Sequence, residues 1–244
     1  NQQEALASII RVQDAGFENI TCDLIYGYPL LTDEKWRHNM QQLIDFEIPH
    51  ISSYSMTVEN KTALDHFIKK GLSPAIDSDQ AADQMSLLIH TLKAAGYEQY
   101  EISNFAKNGL YARHNTNYWK GKHYLGIGPS AHSFNGISRA WNVSNNAKYM
   151  TAINSNQLPL EIEELSTLDQ INESIMTSLR TMWGLDLIAL ESKFGQSIKN
   201  RVLKDAEPFL EEGNLVLEES KLRLTDAGKL MADHIMSDLF IIED

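Results

Sequence analysis

The hexapeptide HNTNYW, His114 to Trp119, sets a histidine, two amides and two large aromatics side by side. Such a set can ligate a metal or a haem iron through one imidazole nitrogen while an amide or carbonyl fixes the other, and Tyr118 and Trp119 can stack on a flat macrocycle. Arg113, Lys120 and Lys122 flank it and could pair with carboxylate arms, the arginine bidentately if oriented. A plainer role fits the same residues: a hydrogen-bonded His-Asn turn anchored by its Tyr and Trp. The hexapeptide lies within Ile102 to Leu160, 59 residues without an Asp or Glu that carry six Lys and Arg, three His and eight aromatics. The chain's average acid content would place about eight carboxylates there, so negative charge is kept out. An anionic, flat, aromatic ligand suits that neighbourhood.

Three further sets of residues are candidates. Asp23 interrupts an otherwise apolar run, NITCDLIY, and a carboxylate in a buried strand must be hydrogen-bonded or reach a cleft. In a barrel-like sheet, strand ends line the active face, where Asp23 could accept hydrogen bonds from a nucleoside ribose; it could equally cap a loop or pair with a buried base. Gly126 and Gly128 in GIGPSAHS permit a close backbone approach to a ligand or a tight turn, but the full GxGxxG phosphate pattern is absent. His123 and His132 stand singly and read as structural, and Cys22 reads as a small inert hydrophobe.

The elements that must position these residues follow from periodicity. A helix over residues 2–15 ends at Gly16, and Asn19 to Tyr26 is a buried strand running into a loop at Gly27 and Pro29. Thr32 and Asp33 cap a helix to about Phe46, Ile51 to Val58 is the next strand, and Ser78 to Ala95 is another helix. This rhythm predicts βα units on a parallel sheet with right-handed crossovers. Strand and loop character then runs from Tyr97 through the hexapeptide to an apolar segment at Tyr124 to Ile127, and Asn142 to Asn146 reads as a linker. Beyond it the chain is mostly helical, with a helix at Leu168 to Met182. A helix from about Ser197 to Leu210, a hairpin LVLEESKLRLT and a helix behind Thr225 give a winged-helix pattern. The fold class is therefore α/β, with a first domain over 1–143 and a mostly helical domain over 144–244.

Composition bounds the rest. With 43% hydrophobic and 22% charged residues the 244-residue chain is globular, and no apolar run approaches the roughly 20 residues of a membrane span. Residues 161–244 hold 18 acids against 8 bases, which disfavours nucleic acid there. A single cysteine excludes a disulfide framework and a self-contained thiolate metal site, and points to a reduced, cytoplasmic setting. The first segment reads as an amphipathic helix without the basic n-region and apolar h-region of a signal peptide, and the absence of an initiator Met suggests a piece of a longer protein.

Five motifs in order, DLIYGYP, SYSMTVE, YEISNFAKNG, RHNTNYW and YLGIGPSAHS, resemble the radical S-adenosylmethionine proteins of the oxygen-independent coproporphyrinogen III oxidase family. The HNxxYW element points to its HemW-type branch of haem chaperones, and the resemblance covers essentially the whole chain. It implies the C-terminal part of a partial (β/α) radical S-adenosylmethionine barrel followed by a winged-helix-like accessory domain. It also implies S-adenosylmethionine, a [4Fe-4S] cluster and haem as cofactors. By motif, Asp23 corresponds to an S-adenosylmethionine contact, as does Ser55 on the next strand. His114 falls on the haem-binding position and is the candidate iron ligand, with Tyr118 and Trp119 beside it. The family's cluster motif, CxxxCxxC, does not occur here, so these residues alone should be inactive in radical chemistry. The chain also has GYPLLT where relatives commonly have GLPGQT, and Pro129 where they have a small residue.

Three functions follow as expectations. One is a carrier that binds haem near 114–119 and delivers it to an acceptor protein. Another is an oxidase that decarboxylates porphyrinogen propionates. The third makes the acidic C-terminal domain a docking module for a basic haem recipient.

Overall fold

The computed structural model describes residues 1–242. The chain divides into two compact units, Asn1–Ala112 and Arg113–Asp244.

The first unit opens with α1 (Gln2–Asp14), started by a capping box between Asn1 and Glu4. Then come β1 (Thr21–Tyr26), α2 (Asp33–Asp45), β2 (His50–Ser55), α3 (Ala63–Lys69), α4 (Ser78–Ala94), β3 (Glu98–Glu101) and β4 (Asn104–Ala106). Thr32 caps α2 as its sequence predicts, accepting from the Lys35 amide. The strands lie in the order β1-β2-β4-β3, and only β1 and β2 are parallel. The expected parallel rhythm thus holds for β1-α2-β2 and then stops. Only Ile102 and Ser103 separate β3 from β4, a connection that permits nothing but an antiparallel pair.

One face of this sheet is closed by α2 and α4. Trp36, Met40 and Leu43 lie at helical spacing along the buried side of α2, and Leu88, Ile89 and Leu92 along that of α4. Both sets join Tyr26, Ile51 and Phe105 in one apolar core. Gln84, fully buried among them, is satisfied on all sides: its Oε1 accepts from the Gly27 amide at 2.8 Å, its Nε2 donates to the Leu31 carbonyl at 2.8 Å, and its own carbonyl accepts from the Trp36 indole at 2.9 Å. Gln84 therefore fixes the GYPLL loop that leaves β1. Gly27 is needed there, because its φ is +78° and an added Cβ would stand 3.1 Å from the Ala81 Cβ.

The second unit runs α5 (Arg113–Trp119), β5 (His132–Phe134), β6 (Ser138–Asn142), α6 (Asn146–Asn154), β7 (Leu160–Glu164), α7 (Thr167–Leu179), β8 (Leu185–Asp186), α8 (Leu187–Phe194), α9 (Gln196–Glu211), β9 (Leu215–Glu218), β10 (Lys221–Leu224), α10 (Asp226–Lys229) and α11 (Ala232–Asp238). It holds two antiparallel sheets, β5-β6-β7 and β8-β10-β9. From α7 onward the helix, hairpin, helix pattern read in the sequence is present, with Thr225 capping α10. Ile171, Ile175 and Leu179 of α7 pack there with Leu190, Val202, Leu222 and Ile235. The sequence boundary at 143/144 falls inside this unit, between β6 and α6, and β6 pairs with β7 across it. Asn142 is accordingly no linker residue. It is buried and donates to the carbonyls of Gly126 at 3.3 Å and Gly128 at 2.9 Å. No helix among the described residues is long and apolar enough to cross a membrane.

Candidate functional site

Each unit presents one candidate surface. In the first, period-two alternation sends Cys22, Leu24 and Tyr26 of β1 toward the helices and Thr21, Asp23 and Ile25 to the open face. Burial, then the charge of Asp23, raises the pKa of the Cys22 thiol, which fits the expected inert role. Asp23 itself is exposed and has no hydrogen bond or ion pair among the described residues, so it does not need the buried partner that its apolar flanks suggested. Cross-strand register places Thr21 beside His50, Asp23 beside Ser52, and Ile25 beside Tyr54. Ser55 pairs instead with Tyr26, on the helix side, where its Oγ lies 3.3 Å from the position a Cβ would take on Gly27. The strands thus set Asp23 and Ser55 on opposite faces, and the residue they bring to Asp23 is Ser52.

The lower end of the open face is closed by its own hydrogen bonds. Thr21 Oγ1 and His50 Nδ1 are 2.7 Å apart, His50 Nε2 and the Tyr100 hydroxyl are 2.8 Å apart, and that hydroxyl accepts from the Ala112 amide at 3.3 Å. Burial lowers the His50 pKa, against the opposing pull of the Asp23 charge.

In the second unit, HNTNYW forms the helix α5, where sequence analysis placed strand and loop. The stretch has no apolar period of its own and only Thr116 is buried, so its helicity is set by tertiary context. His114 and Tyr118 lie one turn apart on one side of α5, and their rings meet edge-on at 4.9 Å. Tyr118 meets Tyr124 in the same way at 4.7 Å, and Tyr124 bridges to Phe134. Leu125 and Ile127 are strongly exposed, so the apolar segment read at Tyr124 to Ile127 is no buried strand.

Beside these rings lies a groove of about 620 Å³. Tyr118, Trp119, Lys120, Arg139, Glu173, Trp183 and Lys193 are among the residues that line it. Lys120 Nζ stands 4.0 Å from the centre of the Trp183 ring, and the Arg180 guanidinium 5.2 Å from that of Trp119. Arg139 is paired with Glu173, and Arg180 with Asp233 at 3.3 Å. The Trp119 indole N–H is buried without a hydrogen-bond partner among the described residues. His114 is exposed and flanks the groove through Tyr118; it is not part of the lining. Sequence reasoning found Tyr118, Trp119 and Lys120 but missed Arg139, Trp183 and Lys193. Arg139 lay in the acid-free stretch it had singled out; nothing in the pattern marked the other two.

The glycines of GIGPSAHS serve the chain itself. A Cβ on Gly126 would lie 2.2 Å from the His132 carbonyl oxygen, and the Gly126 amide donates to Ser133 Oγ at 2.9 Å. His123 lies against Gly136 and edge-on to Phe134, and His132 faces Trp141 at 6.2 Å, both in structural roles. The residues present do not fit an iron–sulfur cluster: Cys22 is alone, and no three His, Cys, Asp or Glu among the described residues converge on a metal position.

Comparison with known proteins covers both units. The HemN C-terminal domain family matches residues 165–231. The heme chaperone HemW of Bacillus subtilis is 33% identical over 96% of this chain and 62% of its own length. HemW of Mycobacterium tuberculosis is 32% identical over 92% and 56%. The mitochondrial radical S-adenosyl methionine domain-containing protein 1 of Mus musculus is 30% identical over 90% and 52%. The chain thus spans 52% to 62% of the length of these relatives. Its fold is that of the radical SAM enzyme coproporphyrinogen III oxidase (HemN) from Escherichia coli, which it matches with a TM-score of 0.77 at 21% identity, over 98% of this chain and 59% of that one.

Proposed function

We propose, because this chain belongs to the HemW-type branch of the radical S-adenosylmethionine proteins, that it binds haem in the groove beside Tyr118 and Trp119 and passes it to an acceptor protein. One observation carries this reading: an aromatic groove lined by Lys120, Arg139 and Lys193, the first two of which come from the acid-free stretch. Its volume of about 620 Å³ lies within the roughly 300–1,000 Å³ of ligand sites. Trp119 and Trp183 offer flat apolar surface, the cations suit carboxylate arms, and exposed His114 at the flank can reach an iron. Arg139 would exchange Glu173 for a ligand carboxylate.

S-adenosylmethionine would lie on the open face of the first unit at Asp23. The [4Fe-4S] cluster would take its ligands from outside these residues. The setting is cytoplasmic, and the acidic balance of residues 161–244 suits a basic acceptor. Ferric haem titration followed at the Soret band tests the site. His114→Ala should weaken binding about tenfold or more, and unchanged binding would remove His114 as the anchor. The oxidase reading uses the same groove; turnover of coproporphyrinogen III by protein with an intact cluster would establish it, and no turnover would eliminate it.

A further inference from the structure

The sheet β5-β6-β7, which gives Phe134 and Arg139 to the groove, has an open edge at β7. β7 pairs with β6 and with no other strand among the described residues. The Val143 amide donates to the Pro159 carbonyl and the Leu165 amide to that of Ile137, so antiparallel alternation turns the peptide groups of Glu161 and Glu163 toward β6 as well. The N–H and C=O groups of Leu160, Ile162 and Glu164 therefore point outward, and they have no hydrogen bond among the described residues. Side chains alternate on the same period. Glu161 and Glu163 stand on the face of Phe134 and Arg139, with Glu163 directly opposite Arg139, while Ile162 stands on the reverse face with 62% of its surface exposed. Glu161, Glu163 and Glu164 are all exposed and have no ion pair among the described residues.

A free edge of this kind can accept a further strand, and its charges decide which one. A second copy of β7 is rejected in either direction. Antiparallel pairing about Ile162 would set Glu161 opposite Glu163, parallel pairing in register would set each glutamate beside itself, and like charges so placed repel. A strand with Lys or Arg at alternate positions meets the reverse condition. We infer that β7 is the docking edge for the acceptor protein, which adds an extended segment with bases opposite Glu161 and Glu163 and an apolar residue beside Ile162. Such a segment lies two strand spacings, roughly 10 Å, from β6 and its Arg139, so the acceptor is held next to the groove. The inference rests on the proposed transfer of haem to a basic acceptor and locates the contact that this partner makes.

Chemical-shift titration and amide hydrogen exchange of the labelled chain with a capped peptide of alternating valine and lysine test the edge. The peptide should shift residues 160–164 and slow exchange at the outward amides of Leu160, Ile162 and Glu164, and a peptide of alternating valine and glutamate should do neither. Glu161→Lys combined with Glu163→Lys should weaken the lysine peptide about tenfold or more and admit the glutamate peptide. Ile162→Pro removes an outward N–H without touching the ladder to β6, and should weaken the lysine peptide as well. Equal binding of both peptides, shifts centred away from β7, unaltered exchange at the three amides, or no shift at millimolar peptide would overturn the assignment. A dimer of the wild-type chain in sedimentation that Ile162→Pro dissociates would make a second copy the occupant and overturn it too. None of these readouts involves haem. Loss of Soret binding with peptide binding intact would remove the haem reading and leave the edge, and the converse would remove the edge alone.

Discussion

The open face of the first unit and the groove of the second hold their candidate ligand-binding groups in different ways. On the sheet, Asp23, Ser52 and Asn104 are fixed by strand register, and their neighbours on the floor are already satisfied by Thr21, His50 and Tyr100. In the groove, Arg139 is held by Glu173, and Lys120 lies over Trp183. The groups on the sheet are thus set by backbone register. A ligand carboxylate at Arg139 would have to displace Glu173, so affinity there would be set by competition.

The largest effect that would break this contrast is loss of the sheet itself. Trp36→Ala removes a fully buried ring and its hydrogen bond to Gln84, and should cost about 3–5 kcal/mol in chemical denaturation. Gly126→Ala forces a Cβ into the His132 carbonyl and should cost about 1–3 kcal/mol in a thermal melt of the second unit. Within the groove the sign of the effect sharpens the comparison. Arg139→Ala should weaken haem about threefold to tenfold in a Soret titration, whereas Glu173→Gln, which frees Arg139 from its internal partner, should strengthen it. Equal weakening by both would mean that the ion pair supports the groove and does not compete with ligand.

The sheet floor carries a pH dependence. Burial holds the His50 pKa below its ordinary 6.5, so the unfolded chain binds more protons in acid. Its contribution is present above about 6.5 and is lost as pH falls through the folded value. Urea midpoints should therefore rise with pH across that window, and His50→Gln should flatten the slope. The smallest effect belongs to the hairpin between β9 and β10, where Glu219 and Ser220 both have positive φ without a glycine. Ser220→Gly should stabilise by about 0.5–1 kcal/mol in denaturant and leave both ligands untouched.

The parts legible in the sequence were those governed by local rules. Thr32 and Thr225 cap their helices, and Gly16 follows the end of the first helix. The antiparallel return of β4 and the helicity of HNTNYW were not legible, because neighbours far along the chain decide them. Asp23 was found by its contrast with apolar flanks, but the flanks misled about its burial: alternation buries one side of β1 and exposes the other. Ser55 was nominated by motif order, and only register shows that it faces away from Asp23. Trp183 and Lys193 carry no pattern of their own and reach the groove because the winged-helix fold brings them there.

In the proposed function, haem occupies the groove of the second unit while the open face of the first, at Asp23, stays free. Ferric haem broadens the amide signals nearest to it, so a broadening map of the labelled chain tests the claim most directly. Signal should be lost at Tyr118, Lys120, Arg139 and Trp183, while Asp23 and Ser52 stay sharp. Broadening centred on Asp23 and Ser52, or none at all with a full equivalent of haem, would contradict it.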